Sequence, residues 1–157
     1  MADNSQYNSP LKATLTGISN LFKKRDRVGV LSDKDRLDGK RILITGASDG
    51  IGKATAIECA KHGATVIIHG KTQPKLELLY DDIVNAGYTE PVIYPLDFEK
   101  MTPDDCDTLN KVIQNEFGKL DGLFNNAGWL GASSPIQQYD LQLWHRVMQI
   151  NLNAAFM

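Results

Sequence analysis

The chain has 157 residues, of which 42% are apolar, and a formal net charge of −2. This length and composition suit one domain of ordinary size. No run of about 18 apolar residues is present, and the chain does not open with the charged, apolar and small-residue pattern of a signal peptide, so we expect a soluble cytoplasmic protein. The two cysteines have no metal-ligand spacing and are predicted to be reduced core thiols, and the histidines are predicted to be structural or surface groups. These residues are Cys59, Cys106, His62, His69 and His145.

Charge is distributed unevenly along the chain. Residues 1–40 contain eight Lys/Arg and five Asp/Glu, whereas residues 41–157 contain nine Lys/Arg and fourteen Asp/Glu. A surface that binds nucleic acid needs an excess of positive charge, because phosphate contacts dominate the affinity. The acidic body of the chain therefore argues against a nucleic-acid partner.

The first 36 residues are predicted to form a polar and basic leader ahead of a folded domain at 37–157. Four apolar side chains in this leader share one face of a short potential helix, which is followed by the basic run 23–27. Such a helix is typical of membrane-surface or partner binding. We favour the plainer interpretation of a leader that packs on its own body or stays mobile, so membrane association through residues 11–27 is not expected. The four apolar residues are Leu11, Leu15, Ile18 and Phe22.

The first predicted strand, 41–45, runs into a glycine-rich turn and then into the first predicted helix, 50–62. Glycines in the turn let the backbone bend sharply and approach a ligand. The first N–H groups of a helix have no intrahelical acceptor and attract an anion. We therefore predict that this turn binds a pyrophosphate. The predicted contacts are Gly46, Ser48, Gly50, Ile51 and Gly52, and Asp49 is predicted as a further cofactor-binding residue of the turn.

Other interpretations compete for this turn. Its Gly-x3-Gly-x-Gly spacing departs from the general dinucleotide fingerprint Gly-x-Gly-x-x-Gly. Gly52-Lys53 suggests the phosphate loop of a nucleoside triphosphatase, but Ala54 lacks the hydroxyl that binds magnesium, and Ala47 stands where that motif needs its first glycine. A tight strand-to-helix turn without a ligand is a further alternative.

The same turn also satisfies the Gly-x-Ser-x-Gly elbow of hydrolases. Ser48 would be the nucleophile, and Asp97 and His145 follow it in a permitted order. Only one predicted strand precedes Ser48, however, whereas an elbow serine stands above an already formed sheet. We therefore prefer the phosphate-binding interpretation.

Beyond the turn, strands and helices alternate at short intervals, which predicts a parallel sheet with helices on both faces. Right-handed crossovers would give the strand order 3-2-1-4, half of a Rossmann-like doubly wound α/β sheet. Further strands are predicted at 64–68, 92–96 and 122–125, and further helices at 74–86, 103–117 and from about 140. Thr102 and Asp105 have the spacing of a capping box. Predicted inward positions are Leu76, Leu79, Tyr80 and Ile83 in the second helix and Leu109, Val112, Ile113 and Phe117 in the third.

The last predicted helix carries one polar residue on a face meant for burial. This residue is Asn151, which lies in a stripe of otherwise apolar side chains. An unsatisfied buried amide costs about 1–3 kcal/mol, so the Asn151 side chain should have a dedicated hydrogen-bond partner. The other residues of the stripe are Trp144, Val147, Met148, Leu152 and Ala155.

Three motifs in chain order resemble those of the short-chain dehydrogenase/reductase family, from about Leu37 to the end of the chain. The first is Thr45-Gly46-x-x-x-Gly50-Ile51-Gly52 after a strand, the second is Asn125-Asn126-Ala127-Gly128 after another strand, and the third is Asn151 in the last helix. The resemblance implies an oxidoreductase that transfers hydride between a nicotinamide dinucleotide and a carbonyl or alcohol. It also implies a homo-oligomer, since relatives usually associate.

The resemblance assigns roles outside the glycine turn. Asp97 would accept a hydrogen bond from the adenine amino group, or else serve as an ordinary loop cap. Asn151 would hold a water of the catalytic proton relay, or else fix its helix to a loop carbonyl. A four-residue segment would line the ribose side of the cofactor and brace the central strands. These residues are Asn125, Asn126, Ala127 and Gly128.

The end of the second predicted strand should decide the choice of cofactor. An NAD site usually places a carboxylate there, about 20 residues after the glycine turn, to bind the ribose 2′-hydroxyl. Gly70 occupies this place and Lys71 follows it, so no acid repels a 2′-phosphate and Lys71 can attract one. Asp49 argues in the other direction, because relatives that use NADP often carry a basic residue there. We predict NADP, with NAD as the alternative.

One part of the family pattern is missing from these 157 residues. Relatives supply the proton for carbonyl reduction from a Tyr that is followed four residues later by a Lys. None of the five tyrosines has a Lys at that spacing, and the chain stops within a predicted helix at Met157. We therefore expect the amino-terminal part of a longer oxidoreductase, unable to turn over alone. A noncatalytic nucleotide-binding or interaction module is the alternative.

Overall fold

The computed structural model describes residues 37–157, so the leader predicted at 1–36 lies outside the described residues. Strands and helices alternate through the described part of the chain. No helix within it is both long and apolar enough to span a membrane. In chain order the elements are β1 (Arg41–Ile44), α1 (Gly50–Lys61), β2 (Thr65–Gly70), α2 (Gln73–Asn85), β3 (Val92–Pro95), α3 (Pro103–Phe117), β4 (Gly122–Phe124), a 3-10 turn (Ile136–Gln138), α4 (Leu141–Met148), a π-helical turn (Gln149–Asn153) and a last helical turn (Ala154–Phe156).

The four strands form one parallel sheet in the order β3-β2-β1-β4, which confirms the predicted order and the Rossmann-like α/β class. Ile42 of β1 lies opposite Val66 of β2 and Gly122 of β4. Parallel neighbours need crossover connections, and α1, α2 and α3 supply them. The carboxyl ends of all four strands therefore meet at one edge of the sheet, where folds of this class bind ligands.

Apolar side chains cover both faces of the sheet, because neighbouring residues in a strand point to opposite sides. Ile44 and Ile68 are fully buried against α1 and α2, whereas Leu43 and Ile67 face α3. Each fully buried side chain of this size contributes roughly 1.5–3 kcal/mol. Two apolar layers thus hold the strand ends in fixed positions.

Helix ends follow their capping residues. In α3 the predicted capping box is confirmed: Thr102 and Asp105 exchange hydrogen bonds, with 2.8 Å between the Thr102 amide nitrogen and Asp105 Oδ2. The predicted inner faces of α2 and α3 are also confirmed. Their most buried residues are Leu76, Leu79, Ile83 and Ile113.

β2 extends two residues further than predicted and ends at Gly70. His69 and Gly70 lie opposite Tyr94 and Pro95 of β3, so pairing with β3 continues the strand to the sheet edge. The extension brings the residue after the strand, Lys71, to the edge where ligands bind.

The last helix differs from its prediction, because the π-helical turn Gln149–Asn153 interrupts the expected stripe. A π turn has a hydrogen bond between residues i and i+5, so it contains one residue more than an α-helical turn. The side chains after it therefore point in other directions than the α-helical period predicts. Ala154, directly after this turn, is buried. Leu152 within the turn is 54% exposed, and Trp144 before it is 45% exposed. The expected burial of Asn151 is wrong, since this residue is exposed in the described structure.

Candidate functional site

The glycine turn packs directly on the segment that follows β4. Gly46 has a φ of +65°, and a Cβ atom on it would lie 2.8 Å from the Ala127 Cα atom. A Cβ atom on Gly52 would lie 2.2 Å from the Gly46 carbonyl oxygen. Any side chain at either position would collide with backbone. These two glycines are therefore required by the packing of the protein itself.

Thr45, at the end of β1, is the centre of the hydrogen bonds that hold these segments together. Its Oγ1 atom accepts from the amide nitrogens of Asn126 and Ala127, each at 3.0 Å, and donates to the Phe124 carbonyl at 3.4 Å. The Asn126 side chain donates to the carbonyls of Thr45 and Gly46 at 3.0 and 3.2 Å. Sequence reasoning gave Thr45 no role, although it is the first residue of the glycine motif. Asn126 thus braces the turn from within the protein.

Asp49 caps the amino end of α1. Its Oδ1 atom accepts from the Gly50 amide nitrogen at 2.8 Å, and its Oδ2 atom lies 3.3 Å from the Lys75 ammonium of α2. Both contacts lower the pKa of Asp49 below its usual value, and the hydrogen bond from Gly50 has the larger effect. Gly50 has a φ of +53°, and no atom lies within 4 Å of the place a Cβ would occupy. The start of α1 is therefore open on this side and close to a charged carboxylate.

The turn also contacts the end of β2. A Cβ atom on Gly70 would lie 3.3 Å from Ser48 Oγ and 3.3 Å from Leu76 Cδ2. Such contacts are tighter than ordinary van der Waals packing, so a larger residue here would have to displace its neighbours. Lys71 follows and is exposed.

A cavity of about 190 Å³ opens among these loops at the carboxyl edge of the sheet. Six of the residues predicted from the sequence line it, and these are Gly46, Ser48, Lys71, Asp97, Ala127 and Gly128. The other lining residues are His69, Gly70, Leu96, Phe98, Trp129 and Ile150. The remaining predicted residues do not line this cavity, and these are Asp49, Gly50, Ile51, Gly52, Asn125, Asn126 and Asn151. Asn125 instead lines a second, apolar cavity next to α3.

Asp97 is positioned by the loop after β3. Its Oδ1 atom accepts from the Glu99 amide nitrogen at 3.1 Å, and its carbonyl accepts from the Lys100 amide nitrogen at 3.0 Å. The half-buried Asp97 lines the cavity together with residues of the glycine turn. A carboxylate there can accept a hydrogen bond from a ligand N–H group.

His69 is buried beneath this loop. It is 2% exposed, stacks on Phe98 with 4.2 Å between ring centroids, and neither ring nitrogen has a hydrogen-bond partner within residues 37–157. Burial lowers the pKa of His69 to about 4, although the Leu96 backbone acts weakly in the opposite direction. His69 is therefore neutral at pH 7.

The end of α4 ties two cavity loops together. Arg146 Nε lies 2.7 Å from Glu99 Oε1, and the guanidinium stacks over the Trp129 ring at 4.9 Å from its centroid. Asn151 binds the Trp129 backbone, and Gln149 donates to the Phe98 carbonyl at 3.3 Å. Sequence reasoning missed Arg146, Gln149 and Trp129, because their partners are distant in the chain.

The structure does not support the hydrolase chemistry that the glycine turn also suggested. Ser48 lines the first cavity, whereas His145 lines a separate one with Glu99 and Arg146, so the hydrolase triad is not assembled. Among residues 37–157 no cluster of His, Cys, Asp and Glu is arranged to hold a metal ion. Cys59 and Cys106 are free and half-buried, and burial raises the pKa of both thiols.

The sequence model of the family described as short chain dehydrogenase matches residues 40–157. The chain belongs to this short-chain dehydrogenase family. It is 40% identical over 124 residues to the uncharacterized oxidoreductase YciK of Escherichia coli K12, covering 79% of this chain and 49% of that relative. It is 36% identical over 129 residues to the 3beta-hydroxysteroid dehydrogenase of Mediterraneibacter gnavus, and the match covers 77% of this chain and 43% of that relative. The chain thus spans about half the length of the curated relatives that it matches.

Solved short-chain dehydrogenases share the fold. A short chain dehydrogenase of Escherichia coli CFT073 complexed with NADPH has a TM-score of 0.75 and 41% identity, covering 78% of this chain and 51% of that protein. One of Shigella flexneri 2a complexed with NADP has a TM-score of 0.75 and 40% identity, with the same 78% and 51% coverage.

Proposed function

We propose that this chain is the cofactor-binding half of an NADP-preferring dehydrogenase or reductase that acts on carbonyls and alcohols. The observation that carries the proposal is that Ser48, Lys71 and Asp97 line one cavity at the carboxyl edge of a parallel sheet, beside the open start of α1. A hydroxyl, an ammonium and a carboxylate suit the phosphate, 2′-phosphate and adenine groups of one dinucleotide.

The pyrophosphate is assigned to the turn and the first residues of α1. Helical N–H groups and the helix dipole favour an anion there, and the open space beside Gly50 lets a ligand approach the backbone. Ser48 can donate a hydroxyl hydrogen bond to a phosphate oxygen. The proposed pyrophosphate contacts remain Gly46, Ser48, Gly50, Ile51 and Gly52. Asp49 acts on this site only through its cap on Gly50.

Adenosine is assigned to the loops that follow β3 and β4. Asp97 would accept from the adenine amino group, and Ala127 and Gly128 would lie along the ribose. Asn126 supports the loop after β4 through its bonds to Thr45 and Gly46 rather than through the cavity lining. Asn125 lines the second cavity, so we assign it a contact with the cofactor through its backbone.

Preference for NADP is supported by Gly70 and Lys71. A carboxylate side chain at position 70, as an NAD site would need, would have to displace Ser48. Lys71 supplies a positive charge for a 2′-phosphate at the same edge of the cavity. The NADPH and NADP complexes of the two solved relatives are consistent with this preference.

The bound dinucleotide would supply the hydride, and residues of this chain would position it. Both side-chain groups of Asn151 are engaged by Trp129 in the free protein, so a relay water would be held by its backbone or after rearrangement. A Tyr-x-x-x-Lys proton donor does not occur in the 157 residues. We therefore propose binding without turnover for this chain, in the cytoplasm, and homo-oligomerisation of the whole enzyme.

Titration of the 157-residue chain with NADPH and NADH, followed by nicotinamide fluorescence, tests the proposal. We expect saturable binding that is tighter for NADPH and is lost in Gly50→Trp. Leu78→Trp adds the same indole at a 65% exposed position of α2 and should bind normally. Absence of binding by the folded, monodisperse chain would overturn the proposal.

A noncatalytic nucleotide-binding or interaction module is the second candidate. Genomic sequence beyond codon 157 distinguishes the two. A continuing frame that encodes a serine and Tyr-x-x-x-Lys would support the enzyme, whereas an authentic stop codon would support the module.

A further inference from the structure

Charged side chains converge around the end of β2, and the proposed function uses only one of them for the 2′-phosphate. Ser48 and Leu76 both approach Gly70, at 3.3 Å from the place of its missing Cβ atom. Each of these three residues has a charged neighbour in the sequence. Of the three charged neighbours, one base lines the cavity, and the other base pairs with the acid at the glycine turn. The charged neighbours are Asp49, Lys71 and Lys75.

Asp49 and Lys75 are paired in the free protein. The Lys75 ammonium lies 3.3 Å from Asp49 Oδ2, while Asp49 Oδ1 remains on the Gly50 amide at 2.8 Å. The side chains are 81% and 54% exposed for Asp49 and Lys75, so water screens the pair and it adds little to stability. Lys75 can therefore change partners with little effect on the fold.

An anion at this edge meets the charge of Asp49. A carboxylate beside a phosphate is repulsive, and Lys71 alone would only balance it. Lys75 makes the cluster of Asp49, Lys71 and Lys75 positive by one charge. We propose that Lys75, held over the glycine turn by Asp49 in the free protein, joins Lys71 in binding the 2′-phosphate of NADP. This inference rests on the proposed function and assigns it a second recognition residue.

The two cofactors differ in the group at the ribose 2′ position. This difference explains why a change of partner by Lys75, from Asp49 to the cofactor, favours NADP over NAD. A phosphate monoester carries about 1.5 to 2 negative charges at pH 7 and three acceptor oxygens, so it competes well with a single carboxylate for an ammonium. Lys75 offers three donors on a flexible stem and reaches a new partner by rotation of its side chain. NAD has only a hydroxyl at this place, so Lys75 keeps its bond to Asp49.

The dissociation constants of NADPH and NADH, measured for single variants of the 157-residue chain, test the inference. In Lys75→Met we expect NADPH to bind about tenfold more weakly while NADH changes by less than about twofold, since one charge-assisted contact is lost. In Asp49→Asn, which keeps a good helix cap, we expect NADPH to bind a few times more tightly. The NADPH preference of the parent chain should also weaken as salt is raised.

Lys53→Met is the matched control, because it removes the same charge from a neighbouring ion pair with Asp82 at 2.8 Å. It should leave the ratio of the two dissociation constants unchanged. The inference is overturned if Lys75→Met leaves that ratio unchanged, or changes it no more than Lys53→Met does. If Lys71→Met alone removes the preference, the proposed function stands without this inference. If the parent chain binds neither dinucleotide, both are wrong.

Discussion

The side-chain amide of Asn151 binds both backbone polar groups of Trp129. Asn151 Oδ1 accepts from the Trp129 amide nitrogen at 2.7 Å, and Asn151 Nδ2 donates to the Trp129 carbonyl at 2.9 Å. Such a paired contact fixes the loop after Gly128 to the π-helical turn at the end of α4. With Gln149 on the Phe98 carbonyl, this turn anchors two walls of the candidate cavity.

Removing this contact should loosen the cavity. In Asn151→Ala we expect the free energy of unfolding to fall by about 1–2 kcal/mol, because two hydrogen bonds are lost and the Trp129 backbone is left without them. Urea denaturation measures this change. Asn153→Ala is the matched control, since its side chain bonds only the half-buried Gln149 side chain. Equal losses in both variants would argue against a special role for Asn151.

Gly52 should tolerate no side chain. In Gly52→Ala the new Cβ would meet the Gly46 carbonyl oxygen, which is backbone and cannot move aside, so we expect a loss of more than about 3 kcal/mol or no folding. Gly122→Ala is the control, because its Cβ would lie 3.6 Å from the Ile42 side chain, an ordinary contact. Thermal unfolding followed by circular dichroism compares the two. A Gly52→Ala protein as stable as Gly122→Ala would show that the turn is looser than described.

His69 should make stability depend on pH. Its folded-state pKa of about 4 lies below the ordinary value of 6.5, so the unfolded chain binds more protons between these values. Stability is therefore full above about pH 6.5 and falls as pH drops towards 4, by up to about 3 kcal/mol. Four carboxylates among residues 37–157 have a lowered pKa, and they act in a lower window, below their ordinary values of 3.8 for Asp and 4.5 for Glu. These residues are Asp49, Glu58, Asp105 and Asp121.

Unfolding free energies measured between about pH 4 and pH 7 test this prediction. His69→Leu should flatten the pH dependence in this window, because the titrating group is gone. An unchanged slope in His69→Leu would mean that other groups cause it.

Gly70 should control cofactor preference through charge. In Gly70→Asp we expect the preference to shift from NADPH to NADH by at least about tenfold, since the carboxylate repels a 2′-phosphate and accepts from a 2′-hydroxyl. Gly70→Asn has nearly the same shape without the charge. Gly70→Asn should weaken the binding of NADPH and of NADH to a similar extent, because the new side chain displaces Ser48. If both variants shift the preference equally, packing and not charge decides it.

Local sequence features determined most of the fold. Apolar periodicity, turn glycines and the capping box of Thr102 and Asp105 act within a few residues, so they predicted the alternating elements and the order β3-β2-β1-β4. The same features located the glycine turn and the end of the second strand, whereas the family resemblance gave Asp97, Ala127 and Gly128 their roles. Together these predictions account for six of the twelve residues that line the cavity. The π-helical turn escaped this reasoning, because the apolar pattern of α4 is regular and tertiary contacts alter the helix.

Tertiary structure alone decided how the site is held and charged. Thr45 Oγ1 meets the backbone of Asn126 and Ala127 from 81 and 82 residues away, and Lys75 meets Asp49 from 26 residues away. The spacing of residues along the chain carries no record of such pairs, since they depend on how separate strands and helices are packed side by side. The sequence therefore specifies the glycine turn and its family, and packing determines which side chains support the turn and which face a ligand.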